Sequence, residues 1–407
     1  MFFLSKVLKR HSFSELLLSI IDYIIGYPIL FLSYFIPRNN NKWVFGNNLG
    51  FLDNTKYFYI YLLENTKDSV YWVTSDKQLY KEFKEKELPV CYKYSLKGFW
   101  HLLTAYYYVC TVTTRYICYW TSGGAYKINL WHGVGIKAIG ESSAGLKDFS
   151  WSSRLLMPHA YEKYNLFLST SEMMNAHFIK SFNLSPESVY EGLYPRCSFI
   201  ISNKESIDTF INQYEGKQTK AIIDLTKKYD KTYIYMPTWR LRLGSEFLKY
   251  AMPDLKQLDD VLKASNSLML LKLHPSMKYH VEDMRTLSNI IYVSPELDVY
   301  PILPYTDILI TDYSSIYYDY LLLENKGCIL YDFDYNQYVK EEFKFIRDYK
   351  EYTPGVHVDE FEDLLFLIQN KAECNVDKRD WIVSQFWGDY RSKNNVLLYG
   401  RIRKNQS

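Results

Sequence analysis

The stretch "LITDYSSIYYDY", residues 309–320, joins an apolar run to a helix-like pattern through a cluster of small polar residues. At the start of a helix, backbone N–H groups that lack an intrahelical partner point towards bound anions in α/β proteins. Ser314 and Ser315 add hydroxyl donors at this turn. We therefore expect the turn to bind a phosphate group. An ordinary capped helix would give the same pattern and is the alternative interpretation.

Asp312 stands just before the two serines, where its negative charge is unfavourable beside phosphate. We expect it to cap the next helix or to orient neighbouring groups. Asp319 follows within the predicted helix, about two turns on and near the same face as Asp312. Spacing alone does not name the partner of Asp319.

Around this stretch, short runs rich in β-branched and aromatic residues alternate with helix-like segments. Such alternation predicts a parallel sheet with helices on both faces, an α/β fold. The predicted strands of a first series are 43–45, 70–74, 90–94, 110–114, 128–131 and 166–169. Those of a second series are 233–236, 268–273, 290–293, 308–311 and 329–331. The clearest predicted helices are 55–64, 96–107 and 255–264.

The 407 residues, of which 48% are apolar, exceed the usual size of a single compact core. We expect two domains, residues 39–201 and 232–407, facing one cleft. The polar and helical stretch within 202–231 is the predicted connection between them. The carboxyl ends of the predicted strands carry polar residues, and open α/β sheets bind their ligands at these ends.

Charge and cysteine content narrow the class of protein. With 48 Lys and Arg against 46 Asp and Glu, the net charge is +2, without the overall basic excess typical of nucleic-acid-binding proteins. The six cysteines include no C-x-x-C pair. This argues against a disulfide framework or a zinc site and indicates a reducing compartment.

The N-terminal segment is the most apolar part of the chain. Residues 16–36 contain one charge, Asp22, and reach the roughly 20 apolar residues that can span a bilayer. Gly26 and Pro28 interrupt the run, and basic residues flank both of its ends. We expect residues 1–38 to form an interfacial or re-entrant membrane anchor. A true span and a buried helix pair of the core are the alternatives.

The segment "NLWHGVGIK", residues 129–137, places a histidine at a predicted strand end. A neutral imidazole can accept a proton near neutral pH, so His132 can act as a general base for a hydroxyl nucleophile. Gly133 and Gly135 let the backbone turn sharply and approach a ligand. Lys137 adds positive charge nearby. The alternative is a histidine that only caps a strand.

Two further predicted strand ends carry groups suited to phosphate. In "YMPTWR", residues 235–240, Arg240 offers a planar fork of donors that matches phosphate oxygens. In "LKLHPSM", residues 271–277, Pro275 biases His274 towards an extended backbone, from which it can bind phosphate or protonate a leaving oxygen. A surface arginine and a turn histidine are the alternatives.

In this order, the motifs W-H-G, P-T-W-R, H-P, T-D-Y-S-S and D-Y resemble those of the CDP-glycerol glycerophosphotransferase family of teichoic acid and capsule synthesis. The resemblance covers most of the chain, including "GLYPR" (192–196) and "YTPG" (352–355). It implies a GT-B-like arrangement of two Rossmann-like domains, the first for the acceptor and the second for the nucleotide donor. It also implies an N-terminal apolar helical segment that associates with membrane.

The resemblance also implies roles for individual residues. His132 and His274 would be catalytic, with His132 as the base that deprotonates the incoming hydroxyl. The residues expected to bind the donor pyrophosphate or to shape its loop are Arg240, His274, Thr311, Asp312, Ser314 and Ser315. Those expected on the acceptor side are Gly133, Lys137 and Arg196.

The implied reaction moves a polyol phosphate, most simply glycerol phosphate, from a CDP-linked donor to a hydroxyl of a lipid-linked or glycan acceptor, and CMP leaves. Positioning and electrostatic stabilisation would supply most of the catalysis. The residue set does not require a metal, and a Mg²⁺ ion carried by the donor pyrophosphate is compatible with it. The implied location is the cytoplasmic face of the cell membrane, with a peripheral or monotopic attachment.

Two departures from the family pattern fall near the acceptor motifs. Val134 and Gly135 stand where the family usually has Thr-Pro, and Cys197 and Ser198 stand where it commonly has Asn-Asp. They leave the acceptor open, as the sequence also leaves open glycerol against ribitol. Two other functions stay as alternatives, a GT-B glycosyltransferase that uses a nucleotide-sugar and a non-catalytic membrane-bound assembly protein.

Overall fold

The computed structural model describes residues 13–140, 158–240, 242–274 and 286–404, with the backbone alone for 13–22. Within these residues the chain forms two sheets whose strands alternate with helices. The paired strands run parallel throughout, for example β1 (Asn39–Phe45) with β2 (Ser69–Thr74) and β11 (Ile308–Thr311) with β12 (Gly327–Tyr331). The predicted α/β class with parallel sheets is confirmed.

The first sheet has the order β3-β2-β1-β4-β5-β6-β7 and the second the order β10-β9-β8-β11-β12-β13. The other strands of the first sheet are β3 (Val90–Tyr92), β4 (Ala105–Cys110), β5 (Tyr126–Asn129), β6 (Leu166–Ser169) and β7 (Val189–Glu191). The other strands of the second sheet are β8 (Lys231–Tyr235), β9 (Ser267–Leu271), β10 (Ile290–Tyr292) and β13 (Val356–Val358).

The α-helices vary from four to 21 residues. Those before residue 230 are α1 (Phe13–Ser33), α2 (Asp53–Asn65), α3 (Lys77–Glu85), α4 (Leu96–Thr104), α5 (Glu172–Phe182), α6 (Pro195–Ile200), α7 (Lys204–Tyr214) and α8 (Lys217–Thr226). Those after it are α9 (Phe247–Ala251), α10 (Leu255–Ala264), α11 (Ile316–Tyr320), α12 (Tyr335–Glu341), α13 (Tyr349–Tyr352), α14 (Phe361–Gln369), α15 (Arg379–Trp387) and α16 (Asn395–Lys404).

The described residues divide into two compact units. The first lies within Met1–Trp131 and Asp148–Phe167, and the second within His132–Lys147 and Leu168–Ser407. Helices α7 and α8 confirm the helical character predicted for the stretch within 202–231. The predicted domain boundaries and the cleft between the domains stay predictions.

The core of the second unit shows why its strands form a parallel sheet. Every residue of β9 is buried, because helices cover both faces of such a sheet. Helix α10 begins where the Asp254 carboxylate accepts a hydrogen bond from the N–H of Gln257 at 2.8 Å, and it buries Leu258 and Leu262. Each fully buried leucine stabilises the fold by about 1.5–3 kcal/mol.

The prediction of a strand at 110–114 is wrong. The strand is β4, which ends at Cys110, and the helix predicted to continue to residue 107 ends at Thr104. The threonines that follow β4 bond locally instead of joining the sheet. Thr113 Oγ1 accepts from the N–H of Arg115, and Glu162 accepts from both the N–H and the hydroxyl of Thr114. The three-residue strands β7 and β13 were not predicted.

Helix α1 packs one face of its described part within the first unit. The rings of Tyr23 and Tyr27 lie 5.3 and 5.2 Å from that of Trp120, and Gly26 fits closely, since a Cβ added there would lie 2.3 Å from Trp120. Pro28 lies inside the helix. None of the described helices combines the length and the hydropathy needed to cross a bilayer.

Candidate active site

The candidate site lies at the carboxyl edge of the second sheet. Strands β9, β8 and β11 are neighbours, and each is followed by residues that the sequence singled out. His274 follows β9, Arg240 follows β8, and Asp312 follows β11. The loop from His132 to Gly140 belongs to the same compact unit as these strands.

Arg240 is buried below the loops at this edge, with 1% of its surface exposed. Its Nε and Nη2 donate to the two carboxylate oxygens of Asp334 at 2.7 and 2.9 Å, and Nη2 also donates to Asp312 at 2.9 Å. The rings of Tyr313 and Tyr338 lie 4.8 and 4.7 Å from the guanidinium carbon. The alternative of a surface arginine is therefore wrong.

These bonds show that Arg240 has a structural role. Burial disfavours its charge, but Asp312 and Asp334 outweigh that effect and raise the pKa of Arg240. The guanidinium therefore stays charged and links the loops after β8, β11 and β12. The predicted contact of Arg240 with the donor pyrophosphate stays a prediction.

Asp312 orients its neighbours from a position that is almost fully buried. One carboxylate oxygen accepts from the N–H groups of Thr238 at 2.8 Å and Tyr313 at 2.5 Å, and the other accepts from Arg240. Helix α11 has no side-chain cap, so the capping role that was one expectation for Asp312 is not observed. The Thr311 hydroxyl donates to the carbonyl of Met236 at 2.7 Å, which joins β11 to the end of β8.

Ser314 and Ser315 form the turn that leads into α11. Ser314 is half-buried and Ser315 is exposed. Within the described part of the chain, neither hydroxyl and neither backbone N–H of these serines has a hydrogen-bond partner. The donors that the sequence predicted for phosphate are thus available to a ligand.

The His132 loop packs directly on this turn. A Cβ added to Gly133 would lie 2.9 Å from the Oγ and 3.2 Å from the Cβ of Ser315. Only glycine lets the loop approach so closely. His132 is exposed and stands one residue from this contact, so the structure brings together the predicted base and the predicted anion-binding turn.

Arg196 lies beneath the same loop, with 4% of its surface exposed. Its Nη2 donates to the carbonyl oxygen of His132 at 2.9 Å and to Asp319 at 2.7 Å. The hydroxyl of Tyr300 also donates to Asp319. Arg196 is thus the partner of Asp319 that spacing could not name. Its predicted contact with the acceptor stays a prediction.

Lys137 reaches the loop after β8. Its Nζ lies 3.4 Å from the hydroxyl oxygen of Thr238 and 5.5 Å from the centre of the Tyr338 ring. Burial lowers the pKa of Lys137 to about 8, against the attraction of Asp312. Lys137 also pairs with Phe345 in an antiparallel bridge. The sequence put Lys137 on the acceptor side, but these contacts are with loops at the carboxyl edge of the second sheet.

His274 is exposed and stacks on Trp239, with ring centres 5.8 Å apart. Partial desolvation lowers the pKa of His274 and favours its neutral imidazole. A neutral ring can donate one hydrogen bond to a phosphate oxygen. Its contribution to catalysis stays a prediction.

Asp334 is a structural partner that the sequence reasoning missed. The signal was Asp332-Phe333-Asp334, an acidic pair directly after the predicted strand 329–331. Both carboxylates are paired in the structure, Asp334 with Arg240 and Asp332 with Nδ1 of His357 at 2.9 Å. In the described ranges, no group of three or more His, Cys, Asp and Glu side chains is arranged to hold a metal ion.

Comparison with known proteins gives consistent results. Residues 29–398 match the family model described as CDP-Glycerol:Poly(glycerophosphate) glycerophosphotransferase. The chain is 27% identical over 323 residues to the teichoic acid glycerol-phosphate transferase of Staphylococcus aureus (strain NCTC 8325 / PS 47), over 75% of this chain and 77% of that protein. It is 23% identical over 401 residues to the teichoic acid poly(glycerol phosphate) polymerase of Bacillus spizizenii, over 95% of each.

Other relatives are longer than this chain. The match to the teichoic acid poly(ribitol-phosphate) polymerase of Bacillus spizizenii is 26% identical and spans 68% of this chain but 42% of that protein. Among solved structures, the wall teichoic acid polymerase TagF has a TM-score of 0.70 at 18% identity, over 97% of this chain and 98% of that chain. A TagF variant soaked with CDPG gives the same TM-score. At this identity the likeness concerns the fold, which is GT-B-like.

Proposed function

Because the chain belongs to the CDP-glycerol:poly(glycerophosphate) glycerophosphotransferase family, we propose that it transfers a polyol phosphate from a CDP-linked donor to a hydroxyl group. Glycerol phosphate is the proposed unit, and the acceptor is a membrane-associated molecule of teichoic acid or capsule synthesis. The full-length likeness to a poly(glycerol phosphate) polymerase supports this choice of unit.

The observation that carries the proposal is the packing of the His132 loop on Ser315. It supports the proposal because His132, the predicted base, is one residue from a turn whose hydroxyl and N–H donors have no partner among the described residues. In the proposed step, the acceptor oxygen attacks the phosphorus that bears the polyol, and His132 takes the hydroxyl proton. The bond from that phosphorus to the bridging oxygen breaks, and CMP leaves with the electron pair.

The donor-binding groups act mainly by charge and position. Ser314 and Ser315 are proposed to donate hydrogen bonds to the diphosphate, while Lys137 supplies positive charge beside them. A neutral His274 can donate a further hydrogen bond to the leaving phosphate. A Mg²⁺ ion carried by the diphosphate is compatible with this arrangement and would count as part of the substrate.

The first unit is proposed to hold the enzyme at the cytoplasmic face of the membrane. Helix α1 exposes Ile24 and Phe31, at 67% and 65% of their surfaces. Helix α4 exposes Leu96 and Trp100 and contacts the same turn, Tyr119–Thr121, as α1 does. Exposed apolar and tryptophan side chains suit the boundary between headgroups and acyl chains.

The test is to incubate the purified chain with CDP-glycerol or CDP-ribitol and a panel of lipid-linked acceptors, and to analyse the products by mass spectrometry. We expect an acceptor that gains the mass of one or more polyol phosphates, with one CMP released for each. Transfer of a sugar from a nucleotide-sugar, with release of a nucleoside diphosphate, would support the glycosyltransferase alternative instead. The unusual Val134 and Gly135 make a broad acceptor panel necessary.

A further inference from the structure

The backbone around His132 adopts a conformation that needs support. Trp131, the residue before it, has a φ of 50°, in the left-handed region that bulky residues avoid. Such a conformation is strained and persists only where surrounding contacts enforce it. Within the first unit, the N–H of Trp131 donates to Oδ1 of Asn129 at 2.8 Å.

On the other side of His132, the support is Arg196. Nη2 of this buried arginine donates to the His132 carbonyl oxygen at 2.9 Å. The bond restrains the peptide plane between His132 and Gly133, and so restrains the backbone that carries the imidazole. A charged donor makes the bond stronger than one between neutral groups.

Arg196 is itself held by Asp319. Its Nε and Nη2 both donate to Oδ2 of Asp319, at 3.1 and 2.7 Å, and Asp319 is fully buried. The hydroxyl of Tyr300 donates to the same oxygen, and the Tyr300 ring lies 4.8 Å from the guanidinium carbon. Because Asp319 lies on α11, which begins next to Ser315, the cluster ties the His132 loop to the helix that directly follows the proposed phosphate donors.

We propose that Arg196 is a positioning residue that holds His132 at the correct place relative to Ser315, and that Asp319 and Tyr300 hold Arg196. This inference rests on the proposed role of His132 as the base. The predicted contact between Arg196 and the acceptor is replaced by an indirect action. A lysine can retain one charged bond to Asp319, but it lacks the planar fork that bonds the carboxylate and the carbonyl together.

The test compares Arg196→Lys with Arg379→Lys in the full chain, using a polyol-phosphate donor that the wild type accepts. Arg379 also donates to backbone carbonyls, those of Leu321 and Leu323 at 2.9 and 3.1 Å, so it controls for the loss of such bonds. We expect Arg196→Lys to lower kcat about 10- to 100-fold, because small misplacements of a catalytic group have effects of this size. The KM for the acceptor and the donor affinity should stay within about threefold. Arg379→Lys should keep its kcat.

Two combined variants separate positioning from a general loss of structure. Arg196→Lys added to His132→Ala should cause no further loss, because it acts through His132. Tyr300→Phe should lower kcat less than Arg196→Lys does and should add nothing to it. If Arg196→Lys does not fold, Tyr300→Phe alone carries the test, since its change removes one hydroxyl.

Three outcomes would overturn the inference. The first is an unchanged kcat in Arg196→Lys or, where that variant does not fold, in Tyr300→Phe. The second is an unchanged kcat together with a raised KM for the acceptor. The third is a further loss of kcat when Arg196→Lys is added to His132→Ala. The first excludes a role in catalysis, and the other two indicate direct contact with substrate. A wild type that releases no CMP from either CDP-polyol overturns the proposed function instead, so the two failures are distinct.

Discussion

Arg240 bonds two carboxylates beneath the site, and its removal would leave Asp312 and Asp334 buried without their cation. Breaking a buried ion pair by removing one partner costs about 3–5 kcal/mol. Arg240→Met should therefore lower the Tm strongly. The control is Arg242→Met, because Arg242 pairs with Glu341 at 3.3 Å on the surface, where such a pair contributes about 0–1 kcal/mol. Equal Tm values for the two variants would contradict a structural role for Arg240.

A substitution at Gly133 tests the contact between the His132 loop and the turn formed by Ser314 and Ser315. In Gly133→Ala the new methyl group would meet Ser315 at 2.9 Å, so the serine or the loop must move. We expect the KM for the CDP-linked donor to rise about tenfold, with little change in Tm. Gly216→Ala is the control, since no atom lies within 4 Å of the added carbon. Equal donor KM values in both alanine variants would refute the contact.

Lys137 gives the site a dependence on pH. Burial lowers its pKa from 10.5 to about 8, so its positive charge is present below pH 8 and lost above it. Donor affinity should fall as the pH passes 8 in the wild type but not in Lys137→Arg, which keeps its charge. The free energy of unfolding changes with pH in the opposite direction to donor affinity. The unfolded chain binds more protons between the two pKa values, so this group makes unfolding harder as the pH rises. Binding and thermal melts across this range check both signs.

The sequence identified the residues proposed to contact the ligand better than it identified the residues that support them. His132, Ser314 and Ser315 stand at strand or helix ends whose chemistry is local, and their placement follows from nearby residues. The Arg196–Asp319 pair and the Arg240–Asp334 pair join residues 123 and 94 positions apart. Such pairs depend on how the elements pack, which the pattern of one sequence does not contain.

At the scale of elements, alternation predicted the strands whose residues are buried on both faces, such as β9 and β11. It failed at β4, because the threonines after Cys110 have β-branched side chains but use their hydroxyls to bond locally. Strands β7 and β13 contain Glu191 and His357, so they lack the wholly apolar and aromatic run of the equally short β3 and β10. At these positions the local residue types do not predict the secondary structure that the sheet contains.

Helix α1 allows a direct test of membrane attachment. Replacing Ile24 and Phe31 by Asp should lower binding to anionic lipid vesicles about tenfold or more for each residue, because burial of such a side chain contributes roughly 1.5–3 kcal/mol. Phe366→Asp is the control, since Phe366 is 64% exposed on α14 in the other unit. Co-sedimentation with vesicles measures the difference. Vesicle binding that falls equally in all three variants, or in none, would refute attachment through α1.

At the scale of the whole molecule, the loop that follows β5 groups with residues far from it in the sequence. The sequence assigned residue 132 to the first predicted domain, 39–201, a boundary that stays a prediction, whereas residues 132–140 group with the unit that contains the second sheet. The segment's antiparallel bridge from Lys137 to Phe345 and its contact with Ser315 explain this difference. Alternation of strands and helices does not reveal that a loop leaves its own strand series to pack on another.

The most direct test of the central claim is the rate of CMP release from a CDP-polyol in the presence of a lipid-linked acceptor, for the wild type, His132→Ala and His159→Ala. His159 lies in the first unit and serves as the control. We expect the wild type and His159→Ala to release one CMP for each unit transferred. His132→Ala should be about 10²- to 10⁴-fold slower with an unchanged Tm, which is the usual contribution of a general base. Full activity of His132→Ala, or no CMP release by the wild type, would contradict the account.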